Sequence, residues 1–136
     1  MKKKLILVFL LLLVFTAGCS ASGPAAETEK SSSTFHQISQ EEAKEMMAKD
    51  DGHVVVDVRR QDEYDAGHIP GAILVPNESI GCDSPEALPD YDQIILIYCR
   101  TGNRSKQAAQ KLASMGYTNI YEFGGITTWT GDVVTD

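Results

Sequence analysis

The sequence predicts an α/β domain, a parallel sheet flanked by helices on both faces, over residues 35–136. Three observations carry this. Short apolar, β-branched runs alternate with stretches of helical period, the order expected of parallel strands joined by crossover helices. Two of those runs, 54–58 (VVVDV) and 94–98 (IILIY), are apolar almost throughout, as strands covered on both sides must be. Glycines and prolines stand between the runs, where turns are needed.

The elements follow in order. Residues 35–38 read as a short strand, and Ser39 opens a helix, because Ser39 at N-cap and Glu42 at N3 fit a capping box. Ala43, Met46 and Met47 share one face of that helix and are expected in the core. Asp50, Asp51 and Gly52 stop it. The strand 54–58 comes next, then a short helix over 60–66 closed by Gly67. The turn cluster 67–71 (GHIPG) leads to a brief strand at 72–75. Residues 76–92 are mostly turn formers, with one helical turn expected near 85–88. The strand 94–98 delivers Cys99 to its carboxyl end, on a tight loop ahead of a helix over 105–115 that Gly116 ends. A last strand at 120–122 precedes Gly124 and Gly125, and 124–129 leads into a final helical turn.

Ahead of the domain, residues 1–18 read as an export signal. Lys2, Lys3 and Lys4 form a basic start, and 5–15 is an unbroken apolar run. Eleven helical residues reach only about 16 Å, roughly half a hydrocarbon core, so the run does not span a membrane. Thr16, Ala17, Gly18 and Cys19 resemble the lipobox of bacterial lipoproteins, although Thr16 stands where that family usually has Leu. The resemblance implies cleavage before Cys19 and a lipid on its thiol, placing the domain outside the cytoplasm and on the membrane. Ordinary cleavage nearby would instead release it. Residues 19–34 have almost nothing to bury and read as a disordered tether.

Removing residues 1–18 takes away three lysines and no acid, leaving nine basic against 19 acidic side chains, a net charge of −10. A domain so acidic is a poor binder of nucleic acid. Cys82 and Cys99 are too few for a disulfide framework, and three scattered histidines give no metal-ligand spacing, so neither metal nor organic cofactor is expected.

Cys99 holds the address of a reactive thiol. At a strand's carboxyl end and a helix's N-terminus it meets unpaired amides and the positive end of the helix dipole. Between Asp92 and Glu122 there is no acidic residue, while Arg100, Arg104, Lys106 and Lys111 all lie there, so the loop is expected to be a positive island. Successive amides curling round one point form an anion nest, and Arg adds forked donors. Lowering a thiol pKa from about 8.5 by two units raises its thiolate fraction at pH 7 from roughly 3% to about 75%. Nucleophilicity falls roughly eightfold over the same shift, so the net gain is only about threefold. Holding an anionic substrate and the charge developing on sulfur must therefore supply more of the rate.

Four pieces in order now carry a family resemblance: Asp57, Val58 and Arg59; Tyr64 followed by 67–72 (GHIPGA); the cysteine loop 99–105 (CRTGNRS); and Gly124, Gly125 and Ile126 with Trp129. Across 35–136 the chain resembles a single-domain rhodanese, a sulfurtransferase. The resemblance implies a five-stranded parallel sheet and a Cys99 that attacks a sulfane-sulfur donor, carries a persulfide, and passes that sulfur to cyanide or a thiol, a protein thiol among them. The backbone of Arg100, Thr101, Gly102, Asn103 and Arg104 would cradle the persulfide, with Arg100 and Arg104 drawing in an anion such as thiosulfate. Two other classes use similar loops. Cysteine phosphatases and arsenate reductases place Arg six positions after Cys, which here is Ser105. A non-enzymatic persulfide carrier would need the same loop and no turnover.

The remaining polar residues are weighed one by one. Asp57 reads as a buried carboxylate paired to Arg or to backbone amides, and His68 as a turn histidine with a structural hydrogen bond. Trp129 is expected to cover the core. Cys82 is either a loop bystander or a resolving thiol for Cys99.

Overall fold

The strand that delivers Cys99 sits at the centre of the sheet, and both its neighbours are parallel to it. The computed structural model describes residues 34–135; the export signal, Cys19 and the tether up to residue 33 lie outside the described residues. In chain order the elements are β1 His36–Gln37, α1 Gln40–Met47, β2 Val54–Asp57, α2 Gln61–Asp65, β3 Ile73–Leu74, β4 Ile95–Cys99, α3 Asn103–Met115 and β5 Ile120–Gly125. Single 3₁₀ turns cover Asn77–Ser79 and Ile126–Thr128. Five strands pair in the order β1-β5-β4-β2-β3, every pair parallel.

Alternation along the strands divides the core in two. Val56, Val58, Ile95, Ile97, Cys99 and Ile120 face α3, which presents Ala108, Ala109, Leu112 and Ala113 to them. Alanines at three of those four positions let the helix axis settle close on β4. Val55, Leu96, Tyr98 and Phe123 face the other way, against Ala43 of α1, with Met46, Met47, Tyr64 and Trp129 packed round them. All five residues of β4 are buried, which explains why its sequence shows no polar alternation.

The expected elements are all present, with shifted ends. The capping box of Ser39 and Glu42 forms in both directions. The turn at 85–88 is a single closure, Leu88 N–H to Pro85 O at 2.9 Å, and the 3₁₀ turn falls earlier, at Asn77–Ser79. Helix α3 begins at Asn103, two residues before the expected start, because Gly102 turns the chain at φ +105°. Strand β5 runs three residues further than expected, since Cys99 pairs with Gly125 across a register shift in β4.

Asp57 is fully buried and bound on all sides. Arg59 reaches it through Nη2 at 2.6 Å, through Nε at 3.0 and 3.1 Å, and through its own backbone N–H at 2.9 Å. The Tyr98 hydroxyl donates to the same carboxylate at 2.7 Å while accepting the Ile69 N–H at 3.1 Å. Arg59 Nη2 also donates to Gly67 O at 2.7 Å. The network pins the 67–71 turn to the sheet and has no contact with Cys99, so Asp57 is structural, as its sequence context indicates. His68 is likewise held: Nδ1 lies 3.0 Å from Tyr64 O, its ring stacks on Tyr64 at 3.7 Å, and its backbone bridges Val134.

Asp57→Ala leaves Arg59 buried without its counter-charge, so equilibrium urea unfolding should show a loss of about 3 kcal/mol or more. An unchanged midpoint would mean that water, not Asp57, compensates Arg59.

Candidate active site

Three elements converge on Cys99: the end of β4, the first turn of α3, and the end of β5. The connection from β4 to α3 is only residues 100–102, and α3 has no side-chain N-cap. Its first amides are therefore not consumed within the helix. One of them is used at once: Gly102 N–H donates to Cys99 Sγ at 3.0 Å. Cys99 is 1% exposed, so the reactive thiol expected at this address is a sulfur at the floor of its cradle.

Burial by itself pushes the Cys99 thiol up, but hydrogen bonding from Ser105 and the amides of Gly102 and Thr101 outweighs it. The net effect holds the thiol below its ordinary range, so the thiolate persists to lower pH than in a free cysteine.

β5 clasps the loop from the side. Thr127 donates to Arg100 O through its backbone N–H at 3.2 Å and its hydroxyl at 3.0 Å. Gly125 lies so close that a Cβ there would overlap the Arg100 carbonyl and come within 2.6 Å of Thr101 Cα. Beneath the loop, Glu122 is 3% exposed. Its Oε1 accepts the Ser105 hydroxyl at 2.6 Å and the Gly124 N–H at 2.9 Å. Ser105 Oγ also lies 2.9 Å from Gly102 O. Glu122 thus ties α3 to β5 directly under the sulfur.

The loop residues named from the sequence divide into three groups. Gly102 is buried and Thr101 exposed, and both turn amides toward sulfur; Arg100 and Asn103 are exposed at the rim. Arg104 is committed elsewhere. Its Nη1 and Nη2 donate to Glu63 Oε2 and Oε1 at 2.7 and 2.8 Å. This pairing holds the Glu63 carboxyl down at about 2 and raises Arg104 further above its ordinary value. Lys111 donates to Asn77 O at 2.8 Å. The positive island seen along the chain is therefore partly cancelled in space, by acids from α2 and β5. Sequence reasoning missed Glu63, Glu122 and the hydroxyl of Ser105. Only Ser105 had a local signal, three residues after a loop glycine.

Cys82 is exposed and free, beside a cavity of about 310 Å³ lined by Gln110, Lys111, Ser114 and Met115. Those residues lie on the order of 10 Å along α3 from the turn that holds Cys99, beyond the reach of a disulfide. Among the described residues no three His, Cys, Asp or Glu side chains gather as a metal would require.

Comparison with known proteins points one way. The family model for the rhodanese-like domain matches residues 39–132. A protein named thiosulfate sulfurtransferase GlpE, from Pseudomonas entomophila, is 40% identical over 98 residues, covering 71% of this chain and 86% of the relative. Thiosulfate sulfurtransferase PspE of Escherichia coli is 35% identical over 71 residues, 52% of this chain and 68% of the relative. Among solved structures, a rhodanese with anions from E. coli superposes with a TM-score of 0.57 at 31% identity, over 62% of this chain and 99% of that one. A rhodanese-like domain protein from Staphylococcus aureus gives 0.63 at 28%, over 75% and 99%.

The pH dependence of Cys99 alkylation by iodoacetamide should have its midpoint below that of a free thiol, the rate falling only as pH drops through the lowered pKa. Gly125→Ala, by pushing the 100–101 peptide away from β5, should move that midpoint up by about one unit. A midpoint that stays put would show that the clasp does not hold the amides on sulfur.

Proposed function

The chain belongs to the rhodanese-like domain family, and on that footing we propose that it is a sulfurtransferase working through a Cys99 persulfide. The observation that carries the proposal is the 3.0 Å hydrogen bond from the Gly102 amide to Sγ at a helix N-terminus with no side-chain cap. An uncapped N-terminus aimed at a buried sulfur favours an anion on that sulfur.

The steps balance without a cofactor. Cys99 thiolate attacks the outer, sulfane sulfur of thiosulfate; a sulfur–sulfur bond to Cys99 forms, the donor's own bond breaks, and sulfite departs with the electron pair. The Cys99 persulfide carries the single negative charge that the thiolate brought. Cyanide, or a thiolate, then attacks the outer sulfur, thiocyanate or a new persulfide leaves, and Cys99 returns as thiolate. The loop's contribution is the same at both stages: amides from residues 101, 102 and 105 face the charged sulfur. No water need intervene. The position where a phosphatase carries its Arg is Ser105, fully buried with its hydroxyl on Glu122, which leaves no cation there for a phosphate.

Export and lipidation belong to the same proposal. The basic start, the 11-residue apolar run and Cys19 support a domain tethered outside the cytoplasm. There it would meet anionic or thiol-bound sulfane sulfur as donor, and a small-molecule or protein thiol as acceptor.

Incubation of the purified domain with thiosulfate should add one sulfur, about 32 Da, localised to Cys99, and cyanide should remove it as thiocyanate. Cys99→Ala should abolish both while leaving the thermal midpoint within a few degrees of wild type. Added mass elsewhere, or turnover surviving the substitution, would exclude the mechanism.

A further inference from the structure

The loop carries two arginines, and the structure treats them differently. Arg100 is exposed and has no acidic partner among the described residues. Arg104 is gripped at both terminal nitrogens by Glu63. That grip is itself anchored: Glu63 is N3 of α2, and its Oε2 also accepts the Arg60 N–H at 3.1 Å. The Arg104 and Glu63 side chains are 24% and 15% exposed, whereas the nearby Arg60–Asp62 pair is 65% and 70% exposed. A sheltered, bidentate, backbone-anchored pair holds its geometry where a surface pair does not.

Such a pair does nothing evident for the chemistry of sulfur. It does change the charge that an incoming donor meets. Arg104 and Cys99 interact through their charges, and Glu63 sets a carboxylate against the Arg104 guanidinium; without it, only the weaker influence of Glu78 would oppose Arg104. We propose that Glu63 is a specificity-determining residue: by holding Arg104 it withdraws one of the two loop arginines from the donor and tilts the Cys99 site toward singly charged sulfane-sulfur donors, such as an organic thiosulfonate or persulfide anion, and away from dianions. The substrates named here rest on the sulfurtransferase reading; the charge selection at Cys99 does not.

The energy of a charged ligand in a given potential is linear in its charge. A change that raises the rate for a monoanion by a factor of about three should therefore raise it for a dianion by about the square of that, roughly ninefold. Both gains should shrink in high salt. Glu63→Gln is the variant of choice, since Gln at N3 preserves the capping-box acceptor while removing the charge. Glu63→Ala should reproduce the sign if the Gln variant packs poorly.

Two measurements test the proposal. The first compares alkylation of Cys99 by iodoacetate and by iodoacetamide, which differ in charge, with the modified residue identified by mass. Their rate ratio cancels any change in the Cys99 pKa. Glu63→Gln should raise it about threefold, and the rise should shrink in high salt. The second compares kcat/KM for thiosulfate and benzenethiosulfonate with cyanide as acceptor. Glu63→Gln should raise the dianion's value about ninefold and the monoanion's about threefold. An unchanged alkylation ratio, or an equal rise for both donors, would overturn the role given to Glu63. If the wild-type protein turned over neither donor, the sulfurtransferase reading would fall, and the alkylation ratio would still decide whether Glu63 selects charge at Cys99.

Discussion

A sulfur buried from water can hold negative charge only where something else supplies the hydrogen bonds that water would. In this domain the main chain supplies them. The N-cap of α3 is Gly102, which has no side chain to offer, and its amide turns to Cys99 Sγ. Desolvation raises the thiol pKa and these donors lower it, and the donors prevail. Nearly everything else near the site keeps the short connection from β4 to α3 in place. Gly102 permits its positive φ, Gly125 permits β5 to touch it, and Thr127 fastens the Arg100 carbonyl.

Ionic groups in this small domain fall into two sets with different work. Asp57, Arg59 and Tyr98 form a saturated network on the α1 face that fixes the 67–71 turn, with no reach toward sulfur. Glu63 and Glu122 border the cysteine loop from either side, one on Arg104 and one on Ser105. Two carboxylates next to an anion-holding loop are a cost in electrostatic terms unless each is matched by its own donors. Both are matched here, by a guanidinium in one case and by a hydroxyl and an amide in the other. The loop thus keeps its amide donors for sulfur while its surroundings stay near neutral.

The sequence disclosed the central strands, α1 and α3 because their signals are local: apolar runs of the kind buried on both faces, a complete capping box, and a stretch of helical period. What it concealed was set by contacts distant along the chain. β5 is longer than its apolar run because Gly125 pairs with Cys99, and glycines carry no hydrophobic pattern. Cys99 and its amides were legible from a strand followed by a glycine loop and a helix. Its burial was not, since the clasp that covers it comes from residues 122–127. The apparent positive island misled for the same reason. Arg104 and Glu63 are 41 residues apart, and charge counted along the chain takes no account of a neutralising partner across space.

The modest benefit of thiolate formation now has a structural counterpart. A shift in pKa trades nucleophilicity for thiolate fraction, so the loop's main effect must lie in a species that carries more than a thiol does. In the proposed reaction a persulfide would carry its charge one atom beyond Cys99 Sγ, within a loop whose Arg100, Thr101 and Asn103 are exposed. Amides of residues 101, 102 and 105 all act on the Cys99 sulfur. In the reaction proposed above, only hydrogen bonds that strengthen as charge moves to the outer sulfur would lower the barrier to transfer; equal stabilisation of the two resting states would leave it unchanged.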